Sequence, residues 1–146
     1  MNTLSKACLF AAALVLAACG TEVGRVGFSG EGSSSVTTPL KAGEVDFWTD
    51  LDIQFEGNAE LHYQVALMQG GSRVATAVCD VLAPKSGKLL WIEIDRGPLH
   101  SRRGAGQMPC SATLPKSGPT TVEATLAFGV RPLSVTLRRA DLVVKQ

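Results

Sequence analysis

The sequence predicts an all-β domain: an antiparallel β-sandwich of jelly-roll or immunoglobulin-like type with seven or eight short strands. Three observations carry that expectation. Apolar residues recur with period two over several segments, Gly and Pro punctuate the intervals between them, and no stretch of the body shows the period of an amphipathic helix.

The clearest segment is Glu44 to Phe55. Val45, Phe47, Leu51, Ile53 and Phe55 fall on one side, and Asp46, Trp48, Asp50, Asp52 and Gln54 on the other. Such alternation marks a strand with one face in a core. Glu56-Gly57-Asn58 supplies a turn, after which Leu61, Tyr63, Val65 and Leu67 alternate with His62, Gln64 and Ala66. Gly70-Gly71 predicts a tight hairpin into Arg73–Leu82. Pro84 to Lys88 turns the chain into Leu89–Asp95, where parity puts Leu90, Ile92 and Ile94 inward and Trp91, Glu93 and Asp95 outward. Arg96 to Pro109 reads as a long loop before a short strand at Cys110–Leu114. Pro115 to Pro119 turns into Thr120–Phe128, where Val122, Ala124, Leu126 and Phe128 share a face. The last strand is Leu133–Lys145, with a bend expected at Arg139-Ala140-Asp141. The order Cys79, Trp91, Cys110 is similar to the immunoglobulin Cys–Trp–Cys pattern, but an outward Trp91 speaks against membership of that family. A small closed barrel is the alternative architecture.

The chain has 146 residues, enough for one domain with a real core. Its 14 basic and 13 acidic side chains nearly balance, which argues against nucleic acid as a partner. The charges are unevenly placed. Glu44 to Glu60 holds six acidic residues and no basic one, whereas from Arg73 onward eleven basic residues meet five acidic ones. The split implies either that acidic and basic elements pack side by side or that two ends of the domain differ in potential.

The first residues, MNTLSK, are polar with one positive charge, and Ala7 to Ala18 is an apolar run. A spanning helix needs about twenty residues, so this run suits the apolar region of an export signal. It ends in Leu16-Ala17-Ala18-Cys19-Gly20, which resembles the lipobox of bacterial lipoprotein precursors. The resemblance covers residues 1–20 alone. It implies a diacylglyceryl group on the sulfur of Cys19, cleavage between Ala18 and Cys19, and a membrane as partner through that lipid. Glycine at position 20, where aspartate would retain such a protein in the inner membrane, implies the outer membrane, facing the periplasm or the cell surface. The expected organisation is therefore a signal peptide at 1–18, a lipid-anchored flexible tether at 19–42 and a β-sandwich at 43–146. The tether expectation rests on GTEVGRVGFSGEGSSSVTTPLKA, rich in Gly and Ser; Val36 to Leu40 is its one candidate edge strand.

Cys8 leaves with the signal and Cys19 carries lipid, so Cys79 and Cys110 remain as an even pair in an oxidising compartment. A disulfide between them is expected. The two histidines, His62 and His100, have no ligand spacing with them, and no CxxC occurs, so no metal, cofactor or catalytic thiol is expected. Asp46, Asp50 and Asp52 lack the glycine-bearing loop of a calcium site. No nucleophile–base motif stands out, and His100-Ser101 is not a readable dyad.

The candidate binding residues are four. Trp48 and Trp91 are expected opposite the aliphatic stripes of their strands, each beside carboxylates, an arrangement able to stack on sugar rings. Arg102 and Arg103 lie in the basic stretch and suit an anionic lipid, glycan or acidic partner. The function expected is that of a non-enzymatic binding or structural module held to an envelope membrane, with an envelope protein or a glycan as partner. The alternatives are a dedicated glycan-binding module and a hydrolase with an unrecognised site.

Overall fold

A computed structural model describes residues 20–85 and 89–146. The expected signal peptide, Cys8, the lipobox cysteine Cys19 and the end of the Pro84–Lys88 turn lie outside the described residues. Nine strands are present among them: β1 (Glu22–Phe28), β2 (Gly32–Leu40), β3 (Gly43–Glu56), β4 (Glu60–Gln69), β5 (Ser72–Asp80), β6 (Leu89–Arg96), β7 (Leu99–Leu114), β8 (Gly118–Val130) and β9 (Ser134–Lys145). They form two antiparallel sheets, one ordered β1-β9-β3-β7-β6 and the other β2-β8-β4-β5.

The pairing is that of a long hairpin doubled over. β1 pairs with β9, β2 with β8, β3 with β7 and β4 with β5. Rolling it up also brings β3 beside β9 and β4 beside β8. This is the jelly-roll topology, with β6 added at the outer edge of β7. The two sheets share no hydrogen-bonded strand, so the barrel alternative is excluded.

Period-two burial explains why the sheets meet. Phe47, Leu51 and Ile53 of β3 join Leu61, Tyr63 and Leu67 of β4 and Val122 and Leu126 of β8 in one apolar core. Each such side chain contributes about 1.5–3 kcal/mol when removed from water. The core holds one polar pair: the Tyr63 hydroxyl lies 3.1 Å from Thr49 Oγ1. Burial pushes the Tyr63 phenol well above its ordinary range, so it stays neutral. The Gly70-Gly71 hairpin forms as expected, both residues at positive φ (57° and 80°), where a side chain would be strained. Cys79 and Cys110 are disulfide-bonded, joining β5 at the edge of one sheet to β7 in the other.

Three expectations are corrected. The stretch 20–42 is not a flexible tether: it contains β1 and β2, and the sandwich starts at Thr21, whose backbone exchanges hydrogen bonds with Gln146. Its few apolar residues sit at the right parity, with Val26, Phe28 and Leu40 buried beside Thr38. Its serines and threonines form a hydroxyl ladder on the outside, Ser33 to Thr125 at 2.8 Å and Thr37 to Thr121 at 2.9 Å. Small hydroxyl side chains thus satisfied a two-sided strand that composition alone marks as linker.

The expected loop from Arg96 to Pro109 is mostly strand. β7 runs from Leu99 and pairs with β3 almost from end to end. Its glycines suggest a loop, but one of them, Gly104, lies where the Leu90 backbone approaches closely. Finally, β6 is turned over. Leu90 pairs with Ala105 and Trp91 with Gly104, and Gly104 lies opposite the buried Leu51, so Trp91 faces the core side and Leu90, Ile92 and Ile94 face out. Parity failed because the second sheet does not reach across β6, leaving neither face fully covered.

Candidate functional site

The structure separates the four candidate residues. Trp48 projects from the outer face of the five-stranded sheet, between Val143 of β9 and Gln107 of β7. Lys145 Nζ lies 3.8 Å from its ring centroid, a cation–π contact that covers one face of the indole. Trp91 sits on the other side of the sheet, half-buried at the rim of the core, with Nε1 donating to Glu93 Oε1 at 2.9 Å. The two indoles therefore form no common stacking platform.

The two arginines also diverge. Arg103 points outward, 3.9 Å from Asp52. Arg102 points to the core side, where its guanidinium lies 6.0 Å from the centroid of Phe55 and donates to Asp95 Oδ1 at 2.8 Å. His100 Nδ1 lies 2.7 Å from the same oxygen, and its ring centroid is 5.1 Å from that of Phe55. Hydrogen bonds from Arg102 and then His100 hold the Asp95 carboxyl below its ordinary range. The cluster locks the β6–β7 hairpin against Phe55. Ser101 faces the opposite side of β7 from His100, pairing with Gln54 where His100 pairs with Phe55, so the two side chains form no dyad.

The acidic run of β3 meets the basic run of its neighbours. Asp50 accepts hydrogen bonds from Arg25 of β1 and Arg139 of β9, each at 3.1 Å, and Asp52 accepts one from Arg138 at 3.3 Å. Arg25 also donates to Asp141 at 2.9 Å. Uneven charge along the chain thus becomes cross-strand pairing on one sheet face. Exposed pairs of this kind add little stability, but they oppose register slips that would set like charges together. Asp50 and Asp52 are thus committed to arginines.

Two surfaces were not anticipated. One is the outward stripe of the edge strand β6, where Leu90 is 82 % exposed, Ile92 60 % and Ile94 48 %. A free backbone edge beside exposed aliphatics is a surface that soluble proteins ordinarily suppress. The other is the outer face of the four-stranded sheet. There Gln64, Arg73, Thr76 and Glu123 border a shallow concavity of about 280 Å3. A second, of about 320 Å3, continues past Glu123 and Thr125 to Ser33 and Ser35. Sequence reasoning had assigned Ser33 and Ser35 to a tether and so missed that face. The signal available was the alternation of hydroxyls with Val36, Thr38 and Leu40.

Comparison with protein-family models, with curated proteins and with solved structures gave no match.

Proposed function

We propose that the chain is the precursor of a bacterial envelope lipoprotein, acylated on Cys19, whose jelly roll acts as a non-catalytic binding or structural module. The observation that carries this reading is Leu16-Ala17-Ala18-Cys19-Gly20 at the end of a short apolar run. The Cys79–Cys110 bond supports export, since such bonds persist in oxidising compartments. Two or three acyl chains on one residue hold firmly, because each buried methylene contributes about 0.8 kcal/mol. The destination proposed is the outer membrane, as glycine follows the cysteine. Mass spectrometry of the amino-terminal peptide should find acylated Cys19 with nothing before it. Cys19→Ala should abolish acylation and processing, leaving the full precursor. A Cys19→Ala product that is still cut and still fractionates with membranes sinks the proposal.

A second reading, glycan binding, is favoured by one observation. The outer face of the four-stranded sheet offers hydroxyls, Gln64, Arg73 and Glu123 along two adjoining concavities, whose lining includes the exposed Val78. Such groups match sugar hydroxyls in hydrogen-bonding capacity. On a broad glycan panel, Glu123→Ala combined with Gln64→Ala should weaken binding by tenfold or more. Binding to no glycan by the parent dismisses this second reading.

A further inference from the structure

Thr21 N donates to Gln146 O at 2.8 Å, and Gln146 N donates to Thr21 O at 3.1 Å. The sandwich is thus fastened two residues after Cys19, with Gly20 alone between. Two residues of extended chain span about 7 Å at most. A lipid on Cys19 therefore cannot lie far from this end of the domain.

The loops at this end form one stitched surface. Gln146 accepts from the Lys41 backbone N–H at 2.8 Å and donates to the Lys41 carbonyl at 2.7 Å. Ala42 N–H donates to Ser117 Oγ at 2.8 Å, and Gln69 donates to the Lys116 carbonyl at 2.9 Å. Three turns, β2–β3, β4–β5 and β7–β8, are thereby held beside the entry of β1. Their backbones are fixed while the side chains of Lys41 and Lys116 stay exposed. Those two are the only charged side chains in the three turns. Glu22, at the start of β1, is paired with Arg25 at 2.7 Å, and Glu44 lies just inside β3. At the opposite end Glu31 is neutralised by Arg131, Glu56 and Glu60 flank the β3–β4 turn, and the exposed Arg96 flanks Gly97-Pro98.

We propose that the end bearing Lys41, Lys116 and Gln146 is a membrane-contact surface that lies on a bilayer with anionic phosphate headgroups. The proposal rests on the acylation of Cys19. A lysine held within a Debye length of about 8 Å feels the surface potential of such a bilayer. The far end, with Gly57–Ala59 and Gly97–Pro98, then points away. β3, 14 residues long, sets the separation, about 45 Å at strand rise.

The test uses the processed protein purified from membranes and reconstituted in phosphatidylethanolamine vesicles with and without phosphatidylglycerol. With Cys19 acylated and Cys79 bonded to Cys110, one added cysteine is the sole free thiol. Nitroxides are placed at Ala42→Cys or Asn58→Cys, and relaxation by a nickel-chelating lipid is measured. Ala42→Cys should relax at least fivefold faster than Asn58→Cys. In the anionic vesicles, Lys41→Glu with Lys116→Glu should reduce the Ala42→Cys effect, by up to fivefold per lysine. Equal relaxation at the two sites in protein whose Cys19 is acylated overturns this orientation and leaves the lipoprotein reading standing. Unmodified Cys19, seen by mass, overturns both. A double charge swap without effect removes the lysines' part in the contact.

Discussion

Replacing Cys79 and Cys110 together by alanine is expected to lower the unfolding free energy by about 3–4 kcal/mol. The bridge spans a sequence separation of 31, so opening it restores a sizeable loop entropy to the unfolded chain. In the folded state it ties β5 to β7, strands of different sheets that share no backbone hydrogen bonds. It also closes the segment that carries β6, whose pairing is to β7 alone. Cys79 is fully buried, so alanine there adds a small cavity to the loss. For a domain of this size the thermal midpoint should drop by roughly 10–15 °C. Denaturant unfolding of the double variant beside the oxidised parent measures the difference. A loss below 1 kcal/mol would show that the staple contributes nothing beyond what packing already supplies.

Gly104→Ala should detach β6 without unfolding the sandwich. Gly104 has φ of 129°, where a side chain is strained, and a Cβ there would sit 1.9 Å from the Leu90 carbonyl oxygen. Backbone cannot yield by rotating a side chain, so the pairing of Leu90 and Trp91 with β7 must open. β6 is an edge strand and its loss leaves the remaining eight paired. The expected result is at least a hundredfold loss of amide protection across Leu90–Ile94, with a global loss of about 1–3 kcal/mol. Hydrogen exchange followed by mass spectrometry reads both. Unchanged protection of β6 would show that the close approach at Gly104 does not hold the strand. The same variant would free the Trp91 side chain from the core rim, and its fluorescence should shift to the red.

Strand existence was legible wherever one face is buried and the other is wet. β3, β4 and β8 read directly from alternation, because the opposing sheet covers their apolar sides completely. β6 shows the limit of that logic. Its alternation is as regular as that of β3, yet nothing covers it from the second sheet, so the aliphatic set turned outward and the indole took the rim of the core. The candidate binding residues failed as a group for a related reason. Trp48 and Trp91 both lie opposite the aliphatic stripe of their own strand, but β3 turns that stripe to the core and β6 turns it outward. Arg102 and Arg103 are adjacent in sequence and in a strand adjacent side chains point apart.

By itself the sequence determined the all-β class, the turns at Gly57 and Gly70-Gly71, the core stripe of β3 and the identity of the disulfide pair. These follow from short-range rules, period-two burial and positive-φ glycines, and for the cysteines from the expectation that Cys8 and Cys19 are used elsewhere. Tertiary structure alone decided that residues 20–42 belong to the sandwich, that Leu99–Pro109 is strand, and that the domain begins at Thr21. Those outcomes depend on partners distant in the chain, β9 for β1, β8 for β2 and β3 for β7. A serine- or glycine-rich segment has too little apolar surface to declare itself, and it becomes a strand because a neighbouring edge satisfies its backbone hydrogen bonds.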